Sequence, residues 1–335
     1  KGQKYEKAVV TKIIKDNLAE DGSRYGTQKV LVKMTTGTYK GKEKQAINPS
    51  GTLFGADCKV GARIIVIVNK SGTNTGFTVY SQDRTMAIYG FALIFAAVVC
   101  AIGGKKGVYA ILSLVFAFAC IIGIMFPMMY RGISPIVLTI IVAVLTTIVT
   151  LGLLGGYSSK TVSAILGTAI GVVIAAVAAM AFGKAAGITG YNVSDIEALN
   201  YVGQNTKIKI GELLFAGIII SALGAVMDVG MSIASTIQEI YETDKTLSMK
   251  RLFVSGINVG RDMMGTMTNT LIFAYVGGAM TTLVINYAYD LSYRQLANSY
   301  VIGIEIMQGL SGSLGVVLTV PITALIASFL AVRKK

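Results

Sequence analysis

Asp228 lies near the end of a mostly apolar stretch, residues 210–233. Arg261, Asp262 and the run Thr266-Met267-Thr268-Asn269-Thr270 stand at the head of the next one. An ionised side chain at bilayer depth costs a few kcal/mol or more, so a carboxylate kept in a helix of hydrocarbon length implies a use. At helical spacing Gly224, Asp228, Ser232, Ser235 and Glu239 share one face. Asn258, Asp262, Gly265 and Asn269 share a face of the following segment. If the two helices run antiparallel, Asp228 falls level with residues 265–269. Glu305, Gln308, Gly312, Gly315 and Thr319 form a third stripe on the last segment, with Glu305 near its outer edge. The chemistry these residues offer is proton or ion coupling. Asp228 is the carrier, Arg261, Thr268 and Asn269 tune it, and Asp262 and Glu305 are further candidate carboxylates. Desolvation and a nearby guanidinium act on a carboxyl in opposite senses, so such a site can change charge near neutral pH. The same groups also admit a structural reading, an ion-pair or hydrogen-bond knot that locks helices together. Gly224, Gly265, Gly312 and Gly315 are the residues expected to let the last three helices approach closely, and Gly167-x-x-x-Gly171 does the same for an earlier one.

Other chemistries have little to work with. The chain has no histidine, which removes the commonest metal ligand and general base. Cys58, Cys100 and Cys120 are too scattered for a disulfide framework or a thiolate site. Intramembrane aspartyl chemistry needs two facing carboxylates, and the pair on offer, Asp228 with Asp262, places the second at the cytoplasmic edge. A phosphate-cradling Gly-Lys-Ser/Thr motif is missing. No enzyme, metal site or cofactor is expected.

The elements that must position Asp228 are membrane helices. Hydrophobic residues make up 53% of the chain and charged ones 14%, with a mean hydropathy of +0.66. Soluble domains carry roughly 25% charged residues. Seven apolar segments follow residue 85, at about 86–102, 108–126, 134–154, 161–182, 210–233, 263–286 and 309–331. Each approaches the ~20 residues that cross hydrocarbon as a helix. The long interruption 234–262 is expected to extend the helices on either side of it. The net charge of +13 reflects basic loops and a basic amino-terminal region, not a nucleic-acid surface. Lys105, Lys106, Lys160, Lys245, Lys250, Arg251, Arg261 and the tail 333–335 outnumber Arg131, Lys184, Lys207, Lys209 and Arg294 on the opposite side. The richer set and the carboxyl terminus are therefore placed in the cytoplasm. Seven crossings then put the amino-terminal region outside, which calls for an export signal or an eighth helix upstream of residue 1.

Residues 1–84 differ in kind. Stretches 30–34, 37–42 and 62–68 read as β-strands between Gly, Asn and Asp turns. The expected fold class is thus a membrane all-α bundle over 85–335, preceded by a small all-β domain of OB or SH3-like type over 1–84.

Residues 224–235, Gly-Ala-Val-Met-Asp-Val-Gly-Met-Ser-Ile-Ala-Ser, together with 260–271, Gly-Arg-Asp-Met-Met-Gly-Thr-Met-Thr-Asn-Thr-Leu, resemble the signature of the YibE/F family of bacterial membrane proteins. The stretch 309–321 is similar to that family's end. The resemblance implies several spans in the bacterial inner membrane and an extracytoplasmic domain. As partners it implies the lipid bilayer and a paired homologue, and the glycine-rich helices also fit a homo-oligomer. It implies no activity. A partial resemblance joins Gly224-x-x-x-Asp228 and the 261–270 stretch to the transmembrane core of proton-driven RND and SecD/SecF-type proteins. There an intramembrane Asp carries proton coupling, which maps to Asp228. Those proteins hold a large external domain between their first two spans, where this chain has only residues 103–107. The expected function is a transporter or proton-coupled export component, and the competitor is a scaffold or envelope sensor whose β domain binds a ligand.

Overall fold

A computed structural model describes residues 3–18, 26–49, 55–71, 74–193 and 195–333. Lys334 and Lys335 of the basic tail lie outside the described residues. Contacts divide the chain into two compact units, Lys1–Val98 and Val99–Lys335.

The first unit contains five strands: β1 (Gln3–Lys15), β2 (Thr27–Met34), β3 (Glu43–Pro49), β4 (Arg63–Ser71) and β5 (Asn74–Gln82). They close a barrel in the order β1-β2-β3-β5-β4, with β3 and β5 parallel and the remaining pairs antiparallel. Period-two alternation explains the closure. Val30, Val32 and Met34 of β2 point inward with Val10, Ala46, Ile64 and Val66, while the alternating Lys29 and Lys33 face water. One part of the interior is polar and well satisfied. Asn48 Nδ2 donates to Gln28 Oε1 (2.9 Å) and to the Ala56 carbonyl (2.6 Å), while the Ala56 N–H donates to Asn48 Oδ1 (3.2 Å). Gln28 Nε2 donates onward to the Cys58 carbonyl at 3.1 Å. Leucine at Asn48 would strand the Ala56 N–H and two acceptors in the core, so Asn48→Leu should destabilise the barrel by about 2–3 kcal/mol, read by chemical denaturation.

The stretch 37–42 is not a strand. Gly37 and Gly41 have φ of +75° and +81°, outside the extended region, and residues 37–41 turn the chain from β2 into β3. Turn formation is local here: the Lys40 N–H donates to the Gly37 carbonyl and the Gly41 N–H to the Met34 carbonyl.

Asp83, between the barrel and the first helix, accepts from the Thr85 N–H (3.1 Å) and pairs with Lys7 (3.1 Å). Hydrogen bonding from Thr85, reinforced by Lys7, holds its carboxyl down at about 2. A depressed folded-state value means the contribution to stability is complete above about pH 4 and is lost as pH falls toward 2. Wild type should therefore lose stability relative to Asp83→Asn across that window, as measured by hydrogen exchange of β1 and β4.

Ten helices follow among the described residues: α1 (Thr85–Cys120), α2 (Phe126–Tyr130), α3 (Pro135–Gly155), α4 (Ser159–Ala186), α5 (Ile196–Asn205), α6 (Leu213–Thr243), α7 (Met249–Gly278), α8 (Met280–Ala288), α9 (Tyr293–Ala297) and α10 (Tyr300–Arg333). A π-helical turn, Ile121–Met125, joins α1 to α2. Five helical stretches are long and apolar enough to cross a membrane: Thr85–Tyr130, Pro135–Gly155, Ser159–Ala186, Ile210–Thr243 and Tyr300–Arg333. Counting the bent pair α7 and α8 as one span makes six. Gly104, with φ 54° and ψ −132°, interrupts α1. A Cβ on Gly107 would strike the Val99 carbonyl and lie 3.1 Å from the Cys100 Cα. Residues eight apart on an unbroken helix are about 12 Å apart, so the chain doubles back at Gly104.

The apolar run 263–286 is not one straight helix, because α7 ends at Gly277-Gly278 and α8 leaves at 59°. The 234–262 interval does extend its neighbours: α6 runs to Thr243 and α7 starts at Met249. α10 passes through Gly309–Gly315 and Pro321 as one helix.

Candidate functional site

The packed centre of the bundle is α4, α6, α7 and α10, and the glycines set how closely they approach. A Cβ on Gly171 would overlap Thr319 Oγ1, sit 2.8 Å from Val226 Cγ1 and lie 3.2 Å from the Gly315 carbonyl. Gly315 in turn faces Ala175 Cβ and the Gly171 carbonyl, both at 2.9 Å, and Gly167 lies under the Thr323 hydroxyl. Gly312 makes ordinary contacts with Ala222 and Leu271 at 3.4–3.5 Å. On α7, Gly256 and Gly260 nest against Ile237 and Ile233 of α6 and Ala324 and Val320 of α10. Small residues here let backbones touch where lipid supplies no hydrophobic drive. Gly224 and Gly265 do not act this way, since a Cβ on either would meet open space. Gly265 lies on an outward face. Gly224 borders an apolar cavity of about 470 Å³ between α1, α3 and α6.

These contacts fix depth. Gly256 beside Ile237 and Gly260 beside Ile233 give α6 and α7 an antiparallel register that places Gly265 level with Asp228. Asp228 is the middle residue of α6, sixteenth of 31. A helix of that length is about 46 Å long, and a ~30 Å hydrocarbon slab set anywhere along it covers the middle. On α7, Arg261 and Asp262 lie 12 and 13 residues past Met249, about 18–20 Å from the start of a 30-residue helix. α7 reaches crossing length and hydropathy only together with α8, so both charges stand at the head of the apolar run 263–286 of that bent span. α7 is packed into the bundle from Leu252 onward.

The site's side chains do not converge. Asp228 is exposed on α6, and Arg261, Asp262 and Asn269 are exposed on α7. Among the described residues the ion pairs are Lys7–Asp83, Lys59–Asp57 and Lys209–Glu212, and Asp228 has neither an ion pair nor a hydrogen bond. Glu212, at the head of the same apolar stretch, is by contrast partnered, accepting from the Ser134 hydroxyl. Thr268 is half-buried, and its hydroxyl has no partner among the described residues. Glu305 is half-buried and lines a separate cavity of about 300 Å³ with Ile272, Tyr275 and Gly309. The Tyr275 hydroxyl there is enclosed, beside the Ser221 side chain. Thr319 is buried and donates back to the Gly315 carbonyl at 2.7 Å. The centre expected around Asp228 is instead a carboxylate on one outward face and a separate charged doublet on the next helix.

The family model for YibE/F-like protein matches residues 91–333. The chain belongs to this family. The match runs from within α1 to the end of α10 and stops short of the barrel. The 224–235, 260–271 and 309–321 runs, quoted above for their resemblance, all fall within it. Multi-pass membrane residence follows from the family and the apolar helices together. No match was found among curated proteins, and none among solved structures.

Tyr275 and the buried hydroxyls of Thr168 and Thr323 were not legible as candidates from sequence. Each stands in an apolar helical run where a lone Thr or Tyr is unremarkable, and only the fold shows that their oxygens are enclosed.

Proposed function

We propose that the chain is a proton- or ion-coupled transporter or export component of the bacterial inner membrane, with Asp228 as the coupling residue. One observation carries this: a carboxylate at the middle of a crossing helix stands on an outward face with no partner. A structural knot would pair it with Arg261 or bury it among donors. A coupling residue must stay free to exchange a proton or cation with water. Gly224 precedes it by one helical turn, in keeping with the resemblance of Gly224-x-x-x-Asp228 to proton-driven RND-type helices.

The Gly104 reversal supports seven crossings, with residues 85–103 and 105–130 as separate spans. With Arg333 at the cytoplasmic end, the barrel is then extracytoplasmic. Its strand order, with β3 and β5 in parallel, supports an OB-type barrel.

The test uses a cysteine-free background with Asp228→Cys, reconstituted in liposomes and treated with a membrane-impermeant thiol reagent. Labelling from one or both sides is expected. Complete protection from both sides would remove the water path on which coupling depends.

The second reading, a sensor or scaffold, is favoured by the barrel. Lys44 lies over the rings of Tyr39 (5.4 Å) and Phe77 (6.0 Å). The Tyr39 hydroxyl shares a hydrogen bond with Thr75 at 3.2 Å. That bond, with Lys70, Lys44 and Lys42 nearby, holds the phenol below its ordinary value. Such a patch suits an anionic ligand. Under this reading a Lys44→Ala, Lys70→Ala variant of the full chain loses binding to an anionic polymer such as heparin, while Asp228→Cys labelling is unaffected.

A further inference from the structure

We propose that the outer face of α7 is the contact between two copies of this chain, related by a twofold axis along the bilayer normal. The inference concerns assembly and holds whether or not Asp228 couples transport. Asn258, Arg261, Asp262, Gly265 and Asn269 follow one another along the uncovered side of α7. Gly265 and Asn269 lie inside the apolar run 263–286 of the span that α7 forms with α8, and Arg261 and Asp262 stand at its head. Lipid suits the exposed Leu310, Leu314, Leu318 and Leu325 of α10. It does not suit Asn269 inside the run or a charged doublet at its head, since each charge drawn into lipid costs a few kcal/mol.

The pattern says what covers it. Adjacent residues of a helix point about 100° apart and do not face each other, so Arg261 and Asp262 cannot neutralise one another along the helix. Across a twofold axis two parallel α7 helices stand at equal depth. Arg261 of one copy then meets Asp262 of the other, and the reverse pair forms beside it. An isologous contact needs just this self-complementarity. Gly265, one turn further on, adds the second feature. A Cβ there would touch nothing in its own chain within 4 Å, so the notch is open to a neighbouring helix.

The test measures association of the full chain in liposomes at high dilution by single-molecule photobleaching. Wild type is expected to be dimeric. Arg261→Asp presents two acidic residues and Asp262→Arg two basic ones, so each alone should associate at least about tenfold more weakly. Mixed together, the two variants should form a dimer close to wild type in strength. Three results overturn the proposal: a monomeric wild type, single variants that remain dimeric, or a mixture that fails to recover. If either charge variant does not fold, Gly265→Leu decides. The single chain has room for it, so the fold survives, and a tenfold loss of association supports the contact while unchanged association refutes it.

Discussion

Asp228→Asn is expected to cut proton-coupled flux in reconstituted liposomes by on the order of 100-fold or more, the usual loss when a positioned proton carrier is removed. Asp228→Glu should retain part of the flux. Thermal stability should rise in Asp228→Asn, not fall. The sign follows from surroundings: Asp228 makes no ion pair or hydrogen bond among the described residues, so the amide breaks nothing and relieves a charge held in hydrocarbon. A structural knot predicts the opposite pattern, unchanged flux and lower stability, because removing one partner of a buried pair strands the other. A pyranine-loaded liposome assay and a thermal melt on the same preparation separate the two.

Gly171→Leu and Gly315→Leu should each destabilise the membrane unit by about 3 kcal/mol or more, at the upper end for overpacked cores. At Gly171 the added side chain runs into the Gly315 carbonyl at 3.2 Å, and at Gly315 into the Gly171 carbonyl at 2.9 Å. Backbone atoms of two crossing helices cannot swing aside as a side chain can. Gly224→Ala and Gly265→Ala are the controls. With no atom within 4 Å of either Cβ, alanine should stabilise by up to about 1 kcal/mol through helix propensity. Unfolding in detergent titrations, followed by circular dichroism, gives all four values. Equal losses at all four positions would refute the division into packed and open glycines.

That division shows where sequence reading reaches its limit. Gly224, Gly265 and Gly315 stand on polar, small-residue stripes and Gly171 in a Gly-x-x-x-Gly motif, and membership of either is a statement about angle around one helix. Whether the stripe faces a neighbour depends on where the neighbour is. Gly312 and Gly315 meet α4, α6 and α7, and the first of these helices was not among those expected to form the contact. The 37–42 stretch failed for a related reason. Its Thr-Tyr-Lys core has strand composition, but two glycines at positive φ turned it into a reversal.

The class of the protein is written in local patterns. Apolar runs of crossing length, the alternation of buried and solvated residues in β2, and the break at Gly103-Gly104 are local, and each depends on residues within a turn or a strand of one another. The family signature is local too, and residues 91–333 match it. Tertiary structure decided the character of the site. Asp228, Arg261, Asp262 and Asn269 could be named from their improbability in hydrocarbon, but not their arrangement as an unpaired carboxylate and a separate charged face. Register and rotation made that choice. The packing of Gly256 and Gly260 against α6 and α10 carries α7 deep into the bundle and turns its charges outward.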